Sequence, residues 1–224
     1  MPSTHGRALA HDTSLRDIFE RGTLAETRTK VDARQAVYAS GDEDDSLYLI
    51  DSGQVKLSMA SAEGKDCLLA IYTAGEVFGE SCFTGSAKRF ESAIAMRPTL
   101  VRRVSRRDLV AEVERHGAYE SLLRHIALRL AERQASVFDL VTMASDRRLA
   151  KVLLTFAEKL GAVDGALLRL GQRVSHEELS QIIGTTRPRV TEFMKRFRAL
   201  GFVKTDGRSI SVHSNRLREW LARD

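Results

Sequence analysis

"VSHEELSQIIGTTRPRVTEFMKRFRALGFV", residues 174–203, contains two short amphipathic patterns separated by a turn. Ser175 and Glu178 have the spacing of a capping box, in which each side chain binds the backbone N–H of the other residue where a helix begins. Thr186 is placed to cap a second helix. Pro188 falls in the first turn of that helix, where its missing N–H removes no hydrogen bond. The stretch therefore predicts two consecutive helices.

The second helix is predicted to have one apolar and one polar face. Its apolar positions recur at helical spacing: Val190, Phe193, Met194, Phe197 and Leu200. Arg187, Thr191 and Lys195 follow i, i+4, i+8 spacing on the opposite face, and Glu192 borders them. Two such helices have helix-turn-helix form. The alternative is a helical hairpin with a solvated charged side.

The segment that follows, "LGFVKTDGRSISVHSNRLREWL" (200–221), favours the DNA-binding interpretation. It predicts a strand, a turn at Asp206 and Gly207, a second strand and a closing helix, which together make a β-hairpin wing. Arg208 at the wing tip is a candidate phosphate contact. Trp220 is expected to pack the closing helix.

The charge distribution agrees with a polyanion partner for the C-terminal part of the chain. Residues 146–224 carry 16 Lys and Arg against 9 Asp and Glu, a net charge of +7, whereas the whole chain carries +5, which leaves −2 for the rest.

Two further elements are predicted before the helix pair. The stretch "DRRLAKVLLTFAEKLG" predicts a helix stopped at Gly161, and "ALLRLGQRVS" (166–175) predicts a short strand pair. We therefore expect a winged helix-turn-helix domain over 145–224.

The N-terminal half has the pattern of a small β domain. Residues 1–26 show little organisation, whereas over 27–110 short runs of Val, Ile, Leu and Tyr alternate with Gly, Asp and Ser turns. This predicts an antiparallel barrel or sandwich. The clearest predicted hairpin is "SLYLIDSGQVKLSM" (46–59), with Ser52 and Gly53 at its turn.

A long helix is predicted between the two domains, over 111–144. Its apolar residues follow 4–3 spacing, which is typical of a helix that pairs with a second copy. The residues expected in a homodimer interface are Leu123, Ile126, Leu130 and Val137. The alternative is a helix packed on its own β domain.

Together these motifs resemble the cyclic-AMP receptor protein and fumarate–nitrate reduction regulator (Crp/Fnr) family of bacterial transcription factors. The resemblance rests on "SLYLIDSGQVKLS", "GEVFGES" (75–81), the long helix and the opening stretch. It implies an α+β chain with a cyclic-nucleotide-binding-like β-roll, a dimerisation helix and a winged helix-turn-helix. The implied function is a homodimeric transcriptional regulator of a near-palindromic DNA site, with RNA polymerase as a further partner.

Contacts to DNA are expected from the helix that starts at Thr186 and its surroundings. The candidate residues are Ser175, Thr185, Thr186, Arg187, Arg189, Thr191, Glu192, Lys195, Arg196 and Arg208. Arg187, Thr191 and Lys195 form an exposed line along the helix. Arg189 and Arg196 flank this line and are expected to touch phosphates. Glu192 either accepts a hydrogen bond from a cytosine amino group or pairs with Lys195 or Arg196. Because Pro188 and Glu192 replace two base-reading residues of the cyclic-AMP receptor protein pattern, we expect a different target site.

The effector pocket departs from the cyclic-AMP-binding pattern in "FGESCFTGSAKRFESAIAM" (78–96). The candidate pocket residues are Gly79, Glu80, Ser81, Arg89, Glu91, Ser92, Ala93 and Gln134. Glu91 stands where the family has the arginine that fixes the cyclic phosphate, and a carboxylate repels a phosphate. Cyclic AMP is therefore not expected to bind unless Arg89, two residues earlier, reaches the same pocket. The effector is otherwise an unknown small molecule, or there is none.

Several other classes are disfavoured. Two cysteines are too few for a four-cysteine iron–sulfur site, and no histidine between His11 and His116 is available to a haem of the family's type. His116 and His125 on the long helix are predicted to be surface or interface residues. No catalytic or metal-binding set is recognisable, so no enzyme is expected. A sensor module that acts on a protein partner would lack the basic helix pair and wing. Without a spanning segment or signal peptide, the chain is expected in the cytoplasm.

Overall fold

The computed structural model describes residues 13–20, 26–60, 66–86, 88–164, 167–170, 174–206 and 209–223. The chain divides into two compact units between Glu132 and Arg133. Among the helices of the described ranges, none combines the length and the hydropathy that a membrane crossing needs.

The first unit contains two four-stranded antiparallel sheets. One is formed by Thr27–Val31 (β1), Thr99–Ser105 (β8), Ser46–Ser52 (β3) and Val77–Phe78 (β6), in the order β1-β8-β3-β6. The other is formed by Ala36–Tyr38 (β2), Ser92–Ala95 (β7), Gln54–Ala60 (β4) and Asp66–Thr73 (β5), in the order β2-β7-β4-β5. The predicted antiparallel β-roll of an α+β chain is confirmed.

Aromatic side chains fill the interior of this roll. Tyr38, Tyr48, Tyr72 and Phe78 are buried there, with ring centroids 5.2 Å apart for Tyr48 and Phe78 and 5.9 Å apart for Tyr72 and Phe78. Large rings contribute much apolar area for each ordered side chain, and adjoining rings attract one another. This row of rings forms the core beside residues 78–96, which we call the effector segment, and Arg89 of that segment lies over the Tyr38 ring.

The predicted hairpin over 46–59 is wrong. β3 pairs with β8 and β6, whereas β4 pairs with β5 and β7, so the two strands belong to different sheets. Gly53, between them, has φ +100, and a Cβ there would lie 2.3 Å from Thr99 Oγ1. The glycine thus lets the chain turn a corner from one sheet to the other in very little space.

The prediction of little organisation for residues 1–26 is also wrong in its second half. Residues Thr13–Glu20 form helix α1. Leu15, Ile18 and Phe19 are buried against residues of β3, β6 and β8 and of the helix after β8. Three apolar residues at helical spacing are too few to identify a helix by themselves, so packing against the sheet determines it.

The segment predicted as a single helix, 111–144, belongs to two helices. Helix α2 is Arg106–Arg115 and helix α3 is Tyr119–Thr142. Gly117 lies between them with φ +61, a conformation that an α-helix does not contain. α3 passes through the boundary between the two units.

The second unit is a winged helical domain. Its helices are Ser145–Leu160 (α4), His176–Ile183 (α5), Arg187–Ala199 (α6) and Ser214–Leu221 (α7). Its sheet has the order β11-β12-β10-β9, from Val203–Asp206 (β11), Ser209–Val212 (β12), Leu167–Leu170 (β10) and Gly161–Asp164 (β9). The strand pair predicted over 166–175 is displaced, because β10 pairs with the preceding β9 and with β12. Phe197, Phe202 and Trp220 pack together near α7, as predicted for Trp220.

Candidate DNA-binding surface and effector pocket

The turn between α5 and α6 is fixed by local hydrogen bonds. Ser175 Oγ accepts a bond from Glu178 N–H at 3.1 Å, and Glu178 Oε2 accepts one from Ser175 N–H at 3.0 Å, so the capping box is confirmed. Gly184 ends α5 with φ +63. Thr186 stands at the N-cap of α6, but its side chain makes no capping bond, so that part of the prediction is wrong.

The two faces of α6 are largely as predicted. Val190, Met194 and Phe197 are buried in the second unit. Leu200 is 46% exposed, contrary to prediction, because α6 ends at Ala199 and the chain turns away there. The outward side carries exposed polar or charged residues; Arg198 was not among the candidates, and the others were: Thr186, Arg187, Arg189, Thr191, Glu192, Lys195 and Arg196.

These exposed residues differ in whether their side chains already contact other residues of the protein. Arg196 forms an ion pair with Asp146 at 3.2 Å, and Arg189 lies over the Phe193 ring. Within the described ranges Glu192 takes part in no hydrogen bond or ion pair, so its alternative pairing with Lys195 or Arg196 is absent. The Glu192 carboxylate therefore faces outward without a partner in the described part of the chain. Arg208 lies outside the described residues.

His176, at the start of α5, was missed by the sequence predictions. Its Nδ1 lies 2.9 Å from Thr191 Oγ1 on α6, and that hydroxyl also lies 3.1 Å from the Arg187 carbonyl oxygen. Burial, followed by the charges of Arg198 and Arg187, lowers the pKa of His176 below its ordinary 6.5. The only sequence signal was a histidine directly after the helix N-cap, at a separation from Thr191 that no helical spacing connects.

The effector segment converges on the buried side chain of Arg89, which is 3% exposed. Gly79 approaches this guanidinium with φ +98, and a Cβ there would lie 2.9 Å from the Ser46 carbonyl oxygen. An arginine has five N–H donors. Here five bonds use them: two to Asp44 Oδ2 at 2.9 and 2.6 Å, one to Gly79 O and one to Ser81 Oγ at 2.7 Å each, and one to Ser46 O.

Glu91 is buried beside this arginine. Its Oε1 accepts hydrogen bonds from Tyr38 O–H at 3.0 Å and from Ser81 O–H at 2.7 Å, while its Oε2 is buried with no hydrogen-bond partner within the described residues. Burial and then the charge of Glu91 raise the pKa of Tyr38. Arg89 thus does reach the pocket of Glu91, through the shared Ser81 hydroxyl, but its donors are already used.

The remaining candidates lie around this pair. Ser92 Oγ accepts a hydrogen bond from Ser40 N–H at 2.9 Å, and Ala93 is fully buried. Glu80 turns toward α3 instead. Gln134 is an exposed residue of α3 and belongs to the second unit.

Two family models match the chain: a cyclic nucleotide-binding domain over residues 28–116 and a Crp-like helix-turn-helix domain over residues 147–220. A CRP-like cAMP-activated global transcriptional regulator from Mycobacterium tuberculosis is 33% identical over 190 residues, which cover 84% of this chain and 83% of that relative. The chain belongs to the Crp/Fnr family. It is a DNA-binding transcriptional regulator, and this function is favoured over a module that acts on a protein partner.

Solved structures of two bacterial regulators agree with the fold. A CRP-family transcriptional regulator from Thermus thermophilus is 26% identical, with a TM-score of 0.72 over 85% of this chain and 95% of that one. The c-di-GMP responsive global regulator CLP from Xanthomonas campestris is 19% identical, with a TM-score of 0.74 over 90% and 99% of the two chains. The second likeness concerns the fold alone.

In this Crp/Fnr chain the effector segment is tied to helix α3 by Glu80. Its Oε1 lies 2.6 Å from His125 Nε2 and 3.1 Å from Arg129 Nε, and Arg129 also donates to the Val77 carbonyl oxygen. Burial raises the pKa of Glu80, but the His125 hydrogen bond and the Arg129 charge outweigh it and lower that pKa. The prediction of a surface or interface position for His125 is wrong, since it is 2% exposed.

The expected dimer residues of this Crp/Fnr chain lie along α3. Leu123, Leu130 and Val137 are exposed, and Ile126 is partly buried. Large apolar side chains exposed at 4–3 spacing are typical of a helix that buries them against a second helix.

Proposed function

We propose that this chain acts as a homodimer that binds a near-palindromic DNA site with α6 of each subunit in the major groove. The observation that carries the proposal is the outward face of α6, where Arg187, Thr191, Glu192 and Lys195 are exposed above a buried apolar side. Arg and Thr side chains on a helix of this kind donate and accept hydrogen bonds at base edges. Two such helices in one dimer would contact half-sites about 34 Å apart.

The experiment that tests this interface is a gel shift on a site obtained by binding-site selection from genomic DNA. Arg187→Ala should weaken binding about fivefold or more, because a bidentate arginine contact contributes about 1–3 kcal/mol. Arg107→Ala is the matched control, since it removes an exposed arginine from helix α2. Equal affinities of the Arg187→Ala and native proteins would contradict the use of α6.

We further propose that cyclic AMP is not the effector of this protein. The five donors of Arg89 are used within the protein, so a phosphate would have to displace the Asp44 carboxylate from them. Glu91 adds a second carboxylate next to them. Both features oppose an anionic ligand, whereas the Mycobacterium tuberculosis relative is described as cAMP-activated.

Titration calorimetry with cyclic AMP tests the effector proposal. The native protein should give no binding heat at micromolar concentration, and Glu91→Arg should gain binding because it restores a charge-assisted donor. Tight binding by the native protein would mean that Arg89 exchanges Asp44 for the ligand, and the proposal would be wrong.

The proposal includes RNA polymerase as the partner through which the bound dimer changes transcription, and the cytoplasm as its location. That the chain is not an enzyme is supported by its relatives, which are transcriptional regulators. Transcription reconstituted with purified polymerase on a selected promoter tests the polymerase partner. An unchanged transcript level at saturating occupancy would contradict it.

A further inference from the structure

The contact between His176 and Thr191 lies within the proposed DNA-binding surface. Thr191 occupies the middle of the exposed line of α6, four residues from both Arg187 and Lys195. Its Oγ1 is 2.9 Å from His176 Nδ1 and 3.1 Å from the Arg187 carbonyl oxygen. Part of the hydrogen-bonding capacity of Thr191 is therefore already in use within the protein.

Hydrogen-bond counting determines what capacity is left. A hydroxyl group has one proton and two acceptor lone pairs. If His176 Nδ1 carries a proton, it donates to Thr191 Oγ1, and the hydroxyl proton goes to the Arg187 carbonyl. If Nδ1 is unprotonated, it accepts the hydroxyl proton itself. With either tautomer the proton of Thr191 is directed into the protein, and only acceptor capacity, one lone pair or two, is left for an outside partner.

We propose that His176 is a positioning residue that makes Thr191 an obligate hydrogen-bond acceptor toward DNA. This inference rests on the proposed use of α6 in the major groove. In that groove adenine and cytosine present amino donors, whereas guanine presents only acceptors and thymine presents an acceptor and a methyl group. Thr191 therefore selects adenine or cytosine at the base that it faces and rejects guanine, which would need a donor.

The surroundings of His176 keep this arrangement stable at neutral pH. Burial, and after it the charges of Arg198 and Arg187 of α6, lowers the pKa of the ring below its ordinary 6.5, which favours the uncharged form at pH 7. The ring also spans from α5 to α6, so it holds the hydroxyl from outside the reading helix. A threonine held only by the carbonyl oxygen four residues earlier can exchange that bond for one to DNA, whereas here the histidine ring adds a second contact to the hydroxyl.

Binding-site selection at pH 7.5 with the full-length native, His176→Ala, His176→Asn and Thr191→Val proteins tests the proposal. The native protein should select adenine or cytosine at one position of each half-site. His176→Ala should raise the frequency of guanine at that position about fivefold or more, because the Thr191 hydroxyl can then donate a hydrogen bond to the base. His176→Asn should restore much of the native preference, because its amide can still contact Thr191. Thr191→Val should lose the preference.

The controls separate this proposal from a purely structural role. If His176→Ala weakens all sequences equally and leaves the base profile unchanged, the histidine only supports the fold and the proposal is wrong. An unchanged profile in both His176 variants, with an altered profile in Thr191→Val, would show that Thr191 reads the base unaided. Failure of α6 itself is distinguishable, because Arg187→Ala would then leave DNA affinity unchanged.

Discussion

Asp44 is the carboxylate on which the buried charges of the effector segment depend. Its Oδ2 accepts two hydrogen bonds from Arg89, and its Oδ1 accepts one from Arg103 at 2.9 Å. We expect Asp44→Asn to lower the free energy of unfolding by about 3–5 kcal/mol, because the buried Arg89 loses its counter-ion. Urea unfolding measures the change. Asp45→Asn, an exposed neighbour, should change it by less than about 1 kcal/mol.

The same carboxylate gives an expected response to acid. Burial by itself raises the pKa of Asp44, but the hydrogen bonds and charge of Arg89 outweigh it and hold the pKa below its ordinary 3.8. A carboxyl group whose pKa is lower in the folded than in the unfolded protein adds stability at pH values above its ordinary pKa. That stability is lost as the pH falls through the folded-state pKa. The stability difference between native and Asp44→Asn proteins should therefore shrink below about pH 4. A difference that grows in acid would contradict this assignment.

Glu192 has no partner among the described residues, which makes it a sensitive probe of base reading. A carboxylate that faces DNA is repelled by phosphates unless it accepts a hydrogen bond from a cytosine amino group. We expect Glu192→Ala to cost about 1–3 kcal/mol on the preferred site and to relax selection at one base pair. Selection with Glu219→Ala, which removes an exposed carboxylate from α7, should leave the profile unchanged. No change of base preference in the Glu192→Ala protein would exclude Glu192 from recognition.

At the residue level, the sequence predicts what local spacing determines. The Ser175–Glu178 capping box and the buried positions Val190, Met194 and Phe197 follow from helical periodicity alone. The Asp44–Arg89 pair joins residues 45 positions apart, and the sequence predictions missed it. Its geometry depends on how two sheets bring the segments together, and periodicity contains no information about that.

Helix α3 is the element on which dimer formation is expected to depend. Leu130 is 58% exposed and belongs to the apolar residues at 4–3 spacing, which form the expected dimer seam. Leu130→Glu should separate the subunits because it places two like charges in this apolar interface. Sedimentation at micromolar concentration measures the outcome. Leu128→Glu is the matched control, since Leu128 is also exposed on α3 but lies off the seam. A Leu130→Glu protein that remains dimeric would mean that the interface lies elsewhere.

At the level of elements, the sequence predicts the kind of structure better than its pairings. The strand character of 46–59 was correct, but its alternation of apolar and polar residues does not distinguish a hairpin from two strands in different sheets. Gly53 permits either a tight turn or a corner. The close approach of Thr99 made it a corner, and Thr99 belongs to a distant strand.

For the molecule as a whole, dimer geometry sets the arrangement of the DNA site. One subunit per half-site requires half-sites about one duplex turn, or 34 Å, apart on the same side of the DNA. Inserting five base pairs at the centre should rotate one half-site to the opposite side and reduce affinity to that of a single half-site. Gel shifts measure the affinity, and the dissociated Leu130→Glu protein should show little difference between the two DNAs. Tight native binding to the lengthened site would contradict the two-fold arrangement.

The sheet order of the first unit has a consequence for folding during synthesis. Thr27 of β1 lies opposite Arg103 of β8, and β2 lies beside β7, so the first strands made pair with some of the last. Such pairing requires closure of long loops before any hydrogen bond forms, and this slows folding. As the ribosome extends the chain, β1 and helix α1 must wait, unpaired, until β8 has emerged. The N-terminal segment is therefore the part of this regulator that chaperones have the longest opportunity to bind.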